Sequence, residues 1–162
     1  MSSSTTCFNH VGVSTSDLER SIKFYKEVFG AKVLIPPTDL VEGSPEATRR
    51  RKNIFGDHWG GMRIAHLSIA DGIGIELFEF KEPKQQKAED NFQYWKSGTF
   101  HFALTSPNIE ETMVAIEANG GKVRTECHEL YPDVKVIYAE DPDGTVFEVV
   151  SSSYEFMNAN RG

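Results

Sequence analysis

The chain has 162 residues, 39% of them apolar, enough to bury a core in one compact domain over residues 1–162 without disulfides. Its formal charge of −7 opposes nucleic-acid phosphates, and no apolar run approaches the ~20 residues that span a bilayer. Cys7 and Cys127 form neither a C-x-x-C pair nor a secreted cysteine framework, and the Met-Ser-Ser-Ser-Thr-Thr start lacks the regions of a signal peptide, so a soluble, cytoplasmic protein is expected.

In chain order, the first expected element is an alternating strand beginning at His10. Asp17 then caps a helix running to about Phe29, with Leu18, Ile22, Tyr25 and Phe29 spaced along one buried face and Gly30 as its stop. Strands follow at Lys32 to Ile35, Met62 to Ala70 and Ile73 to Phe80, the last two joined by a tight hairpin at Asp71-Gly72. Between Pro36 and Gly61, proline, glycine and charged residues replace the period-two pattern, which marks an insertion. Residues 81–98 read as a linker, part of which packs down through Phe92, Tyr94 and Trp95.

A second set begins with a strand at His101. Asn108 caps a helix to about Asn119 with Ile109, Met113 and Ile116 as its stripe, and Gly120-Gly121 ends it. Strands are expected at Lys122 to Glu126, Lys135 to Glu140 and Thr145 to Val150, with a turn at Asp141-Pro-Asp-Gly144 and a tail over 151–162. Shifted by 91 positions, the chain aligns His10-Val-Gly-Val-Ser-Thr-Ser-Asp-Leu-Glu with His101-Phe-Ala-Leu-Thr-Ser-Pro-Asn-Ile-Glu, without a gap to Gly30 against Gly121. The expected fold is therefore α+β: two repeated βαβββ modules, about 8–80 and 99–150, forming a curled sheet around a central metal-binding cleft.

Four residues point to that metal. Strand alternation puts His10 on the face of Gly12, with Val11 and Val13 opposite. Glu76 lies between Ile75 and Leu77, and Glu148 between Phe147 and Val149, each a lone acid in an apolar strand. A buried, unpaired carboxylate costs several kcal/mol or more, so it must be paired or bind a cation. With His10 and His101 at repeat-related positions, two imidazoles and two carboxylates can hold one divalent cation and leave room for substrate oxygens. The competing reading is a pair of His–Glu salt bridges. For the base that moves a proton, Glu148 is the first choice and Glu76 the second.

Other residues are read more simply. Alternation across an Asp71-Gly72 hairpin puts Leu67, not His66, on the face of Glu76, so His66 is expected on the helix side. Within Arg49-Arg-Arg-Lys52, Arg49 and Arg50 are candidates to clamp a substrate carboxylate or phosphate, against a solvated charge run. His58 and Trp59 are candidate pocket residues, or an aromatic loop anchor. His128 is expected on the surface.

The motifs Asn9-His-Val-Gly-Val, Asp17-Leu-Glu-Arg-Ser-Ile-Lys-Phe-Tyr25, Phe29-Gly30, Ile75-Glu-Leu77, Gly98-Thr-Phe-His101 and Asp141-Pro-Asp-Gly-Thr-Val-Phe-Glu148 cover nearly all of residues 8–150. Together they resemble the vicinal oxygen chelate superfamily, which includes glyoxalase I, methylmalonyl-CoA epimerase, extradiol dioxygenases, and fosfomycin-resistance and bleomycin-binding proteins. The resemblance implies one divalent metal ion (Zn, Ni, Co, Mn or Fe) at His10, Glu76, His101 and Glu148. A glutamate at position 76 is similar to bacterial glyoxalase I, which implies a metal-dependent isomerase or lyase that abstracts a proton next to a carbonyl whose oxygens chelate the metal. The alternatives are an Fe(II)-dependent extradiol-type dioxygenase and a non-catalytic small-molecule binding or resistance protein. The insertion lacks a counterpart to glutathione-contacting residues, and the Asn91–Trp95 and Ser153–Met157 segments look closer to uncharacterised family members, with epimerases acting on cyclic polyol ketones as a secondary likeness. The implied partners are a small-molecule substrate and a second copy in a homodimer, with no nucleic acid and no membrane.

Overall fold

The structure, a computed structural model, describes residues 6–159. The chain divides into two compact units, one made of residues up to Ile22 with Ala31–Gln85, the other of Lys23–Gly30 with residues from Gln86 onward. No helix among the described residues is long and apolar enough to cross a membrane.

The first unit and its connections run β1 (His10–Ser14), α1 (Leu18–Phe29), β2 (Lys32–Val41), α2 (Pro45–Phe55), β3 (Gly61–Ser68) and β4 (Gly74–Glu82). Its sheet has the order β1-β4-β3-β2, with β1 parallel to β4 and the other pairs antiparallel. The second unit contains β5 (Phe102–Thr105), α3 (Ile109–Ala118), β6 (Lys122–Val123), β7 (His128–Tyr131), β8 (Val134–Glu140), β9 (Val146–Val150) and α4 (Tyr154–Asn158). Its order is β5-β9-β8-β6, with β7 also on β8 and β5 parallel to β9. In both, the first strand lies parallel against the last, as two βαβββ modules of an α+β fold require.

The repeat extends to individual hydrogen bonds. Thr15 Oγ1 lies 2.6 Å from Ser21 Oγ, and Ser106 Oγ lies 2.7 Å from Thr112 Oγ1. Asp17 Oδ1 accepts from the Arg20 amide at 3.0 Å, and Asn108 Oδ1 from the Glu111 amide at 3.2 Å, so both expected caps satisfy a first-turn donor. The strand exits match too: the Thr15 amide donates to Phe78 O at 2.8 Å and the Ser106 amide to Val150 O at 2.9 Å.

Several local expectations need correction. β2 continues past Ile35 to Val41 because Pro36 and Pro37 sit on an edge strand, where the pairing with β3 shifts register between Ile35 and Thr38. The insertion holds α2, whose signals are Ser44 accepting from the Ala47 amide, Pro45 in the first turn and Gly56 closing the end at φ 94°. Lacking any buried residue, α2 shows no apolar stripe from which periodicity could find it. β7 and α4 lie outside the expected elements, and β6 is far shorter than Lys122 to Glu126.

The connection after β3 is the correction that matters for the site. Ala70–Gly72 forms a 3₁₀ turn, not a two-residue hairpin, and Gly72 takes φ 76°, a left-handed conformation that suits glycine. The Ile69 amide donates to Ile73 O at 2.9 Å, so three residues separate the closing pair. An odd loop moves the register by one residue, which turns every side chain of β3 to the opposite face.

The second unit's core contains Phe24, Tyr25, Ile116, Ile137, Phe147 and Val149, all fully buried. The expected turn at Asp141–Gly144 is present, closed by the Gly144 amide on Asp141 O at 2.9 Å. The Asp141 carboxylate accepts from the Asp143 and Thr145 amides at 2.9 and 2.8 Å and from the Tyr25 hydroxyl at 3.1 Å. Burial raises the Asp141 carboxyl above its ordinary range, against the opposing pull of the hydrogen bonds from Thr145, Tyr25 and Asp143. The folded chain therefore holds this proton more tightly than the unfolded chain. The group's contribution to stability falls as pH rises from the unfolded value of ~3.9 to the raised folded value. Asp141→Asn is expected to flatten the urea midpoint across that window; an unchanged slope would refute the assignment.

Candidate metal centre

In the first unit, the parallel register sets His10 opposite Gly74 and Gly12 opposite Glu76, so His10 and Glu76 are offset by one same-face step. A Cβ at Gly74 would lie 3.1 Å from His10 Cβ, so glycine there leaves space for the histidine. His10 Nε2 lies 3.3 Å from Glu76 Oε2, and its other nitrogen, Nδ1, is 2.7 Å from Asn9 Oδ1. Across the antiparallel pair, His66 stands directly opposite Glu76, and its Nδ1 is 3.2 Å from Glu76 Oε1. This overturns the placement of His66 on the helix side: the three-residue turn pairs Leu67 with Ile75 and brings His66 to the carboxylate.

The second unit repeats the arrangement. Ala103 pairs with Glu148, so His101, just ahead of β5, is offset from Glu148 as His10 is from Glu76. His101 Nε2 lies 3.2 Å from Glu148 Oε2. Its Nδ1 is buried with no hydrogen-bond partner among the described residues. The rings of Phe100 and Tyr138 each pack on the imidazole, edge to face, at 5.1 Å. Tyr138 faces Glu148 across β8 and β9, the place that His66 holds in the first unit. Burial first, and then the charge of Glu148, hold the Tyr138 phenol above its ordinary range.

The carboxylates are thus neither fully buried nor unpaired, as the strand pattern suggested; Glu76 and Glu148 keep 26% and 17% of their side-chain surface exposed, and both meet imidazoles. Arg49, Arg50 and His58 are exposed and carry no hydrogen bond or ion pair among the described residues. Arg51 and Lys52 of the same run are engaged, Arg51 with Val41 O at 2.7 Å and over the Trp59 ring, Lys52 with Glu42 at 2.7 Å. Trp59 is buried and lines a recess of about 280 Å³ with Phe55, Phe80 and Pro83.

Two ligands each ~2.0–2.2 Å from one cation, at tetrahedral to octahedral angles, stand ~2.8–3.6 Å apart. The His–Glu separations of 3.3 and 3.2 Å fit that spacing. The Asn9 contact also leaves His10 Nε2 as the outward nitrogen, the usual arrangement of a ligating imidazole. Each pair therefore suits two positions of a divalent cation, although no three such donors among the described residues already surround one point.

A family model described as Glyoxalase/Bleomycin resistance protein/Dioxygenase superfamily matches residues 8–149. The chain belongs to this superfamily. Glyoxalase-superfamily relatives include a lactoylglutathione lyase of Escherichia coli O157:H7, 27% identical over 156 residues, which are 94% of this chain and 95% of the relative. A putative lactoylglutathione lyase of Brassica oleracea var. gemmifera is 27% identical over 150 residues, 88% of this chain but 43% of the relative. A 2-epi-5-epi-valiolone epimerase of Actinomyces sp is 25% identical over 113 residues, 70% of this chain and 58% of the relative. The chain thus spans less than half the length of the plant relatives it matches. Among solved structures, a glyoxalase family protein from Bacillus cereus shares the fold, with a TM-score of 0.74 at 17% identity over 93% of this chain and 97% of the other.

Proposed function

We propose that this member of the glyoxalase superfamily is a metal-dependent lyase or isomerase that moves a proton next to a substrate carbonyl. The observation that carries the reading is the His–Glu pair occurring twice at one register offset and one separation, His10 with Glu76 and His101 with Glu148. These four residues are the proposed ligands of one divalent cation, which when bound supplies a positive charge against which carbonyl oxygens are polarised. Relatives named as lyases and as an epimerase support the coarse chemistry.

The chain's own residues divide the work. Imidazole nitrogens and carboxylate oxygens together suit Zn, Ni, Co, Mn or Fe. Glu148 is the proposed proton acceptor, because a carboxylate oxygen not held elsewhere can reach a proton on carbon and return it. Phe100 and Tyr138 pack around His101 and limit water at that side. A small molecule is the proposed substrate, and a homodimer the proposed assembly.

Elemental analysis after anaerobic loading tests the reading. About one cation per chain is expected, falling below half in both His10→Ala and His101→Ala. Full occupancy in either variant removes that residue from the ligand set. With α-hydroxyketones in heavy water, the loaded protein is expected to incorporate deuterium beside the carbonyl; oxygen consumption with catechols instead would favour an Fe(II) dioxygenase.

A further inference from the structure

Glu76 and Glu148 occupy equivalent places but have different neighbours. Around Glu76, both oxygens are taken: Oε2 faces His10 Nε2 at 3.3 Å and Oε1 faces His66 Nδ1 at 3.2 Å. Around Glu148, His101 faces Oε2, while the cross-strand neighbour is Tyr138, whose hydroxyl makes no hydrogen bond to the carboxylate among the described residues. The Tyr138 ring is instead stacked on Phe100 at 6.1 Å and set edge-on to Phe92 at 6.1 Å. The repeat has thus kept the His–Glu pair and changed the residue behind it.

His66 is placed by the strand and not by the carboxylate. Ala65 and Leu67 on either side are buried in the core, which fixes the backbone of β3 and directs His66 to the other face. An imidazole held this way keeps its Nδ1 in a fixed place, 3.2 Å from Glu76 Oε1. Rotation of the Glu76 carboxylate would break the contact at one oxygen or the other, whereas among the described residues Glu148 has only the contact to His101 to lose.

We infer that His66 is a positioning residue: by holding Oε1 it keeps Glu76 as a fixed, one-oxygen ligand and leaves proton movement to Glu148. This rests on the metal-dependent reading above. It also explains why the two halves of a repeat need not share the chemistry equally, since one carboxylate is held on both sides and its counterpart on one.

Two measurements on the full chain test it. The first is calorimetric titration of the chelator-stripped protein with Co²⁺. His66→Asn keeps a donor at the position of Nδ1 and is expected to bind within about 3-fold of the parent, a rescue that a space-filling role would not show. His66→Phe keeps a ring but no donor and is expected to bind ~10–100-fold more weakly, the usual effect of losing a residue that orients a ligand. Equal affinity in His66→Phe would overturn the proposal.

The second measurement needs no metal and no variant of His66. Long-range ¹H–¹⁵N spectra of the metal-free protein are expected to show the proton on His66 Nδ1, with a resonance that moves in Glu76→Ala. A bare Nδ1 would overturn the pinning directly. If the parent binds no Co²⁺, the metal reading fails, and these spectra still decide the His66 contact by themselves.

Discussion

Glu148→Gln is expected to lower proton exchange beside the substrate carbonyl by ~10²–10⁴-fold, the usual contribution of a placed general base. The amide has nearly the shape of the carboxylate and can still meet His101 Nε2, now 3.2 Å from the acid, but it cannot take up a proton. Glu76→Gln is expected to act differently, by weakening cation retention, because both oxygens of Glu76 are engaged by imidazoles. Deuterium incorporation and metal content, measured on the same samples, separate the two effects. Undiminished exchange in a fully loaded Glu148→Gln protein would take the base away from Glu148.

Next to Glu148, Phe147→Ala is expected to lose about 3–5 kcal/mol of stability in urea unfolding, the range for removing a fully buried phenylalanine. Its ring meets Phe29, Phe24 and Phe102 at centroid distances of 5.5, 6.1 and 6.1 Å, and it is fully buried. A folded domain has about 5–15 kcal/mol in total, so the variant should lie near the edge of folding. A loss under about 1 kcal/mol would mean that the cluster closes over the gap and that Phe147 does not set the position of β9.

Most of this fold is legible in the sequence because it is written twice. The Asp17 and Asn108 caps, both helices, the Asp141–Gly144 turn and the two His–Glu positions follow from residues whose chemistry is local. The rest depends on features that local pattern does not report. α2 buries no residue, and its Ser44-Pro45 start lies inside a segment whose composition reads as an insertion. β2 runs through two prolines because it lies at an edge, a fact of the whole sheet. The face of His66 is not legible locally, because Asp71-Gly72 satisfies a two-residue hairpin as readily as a three-residue one, and the parity of the loop decides the face. The equality of Glu76 and Glu148 was likewise an inference from repeat position, whereas their cross-strand neighbours, His66 and Tyr138, differ.

The prolines of β2 also bear on what the protein does at high concentration. Val33, Leu34 and Ile35 are exposed on a free sheet edge, the kind of segment that recruits another strand and seeds fibrils. Pro36 and Pro37 offer no amide hydrogen, so an incoming strand finds the ladder interrupted after Ile35. The ten-residue edge is thereby cut into shorter pieces, each a poorer template for an added strand than an unbroken edge.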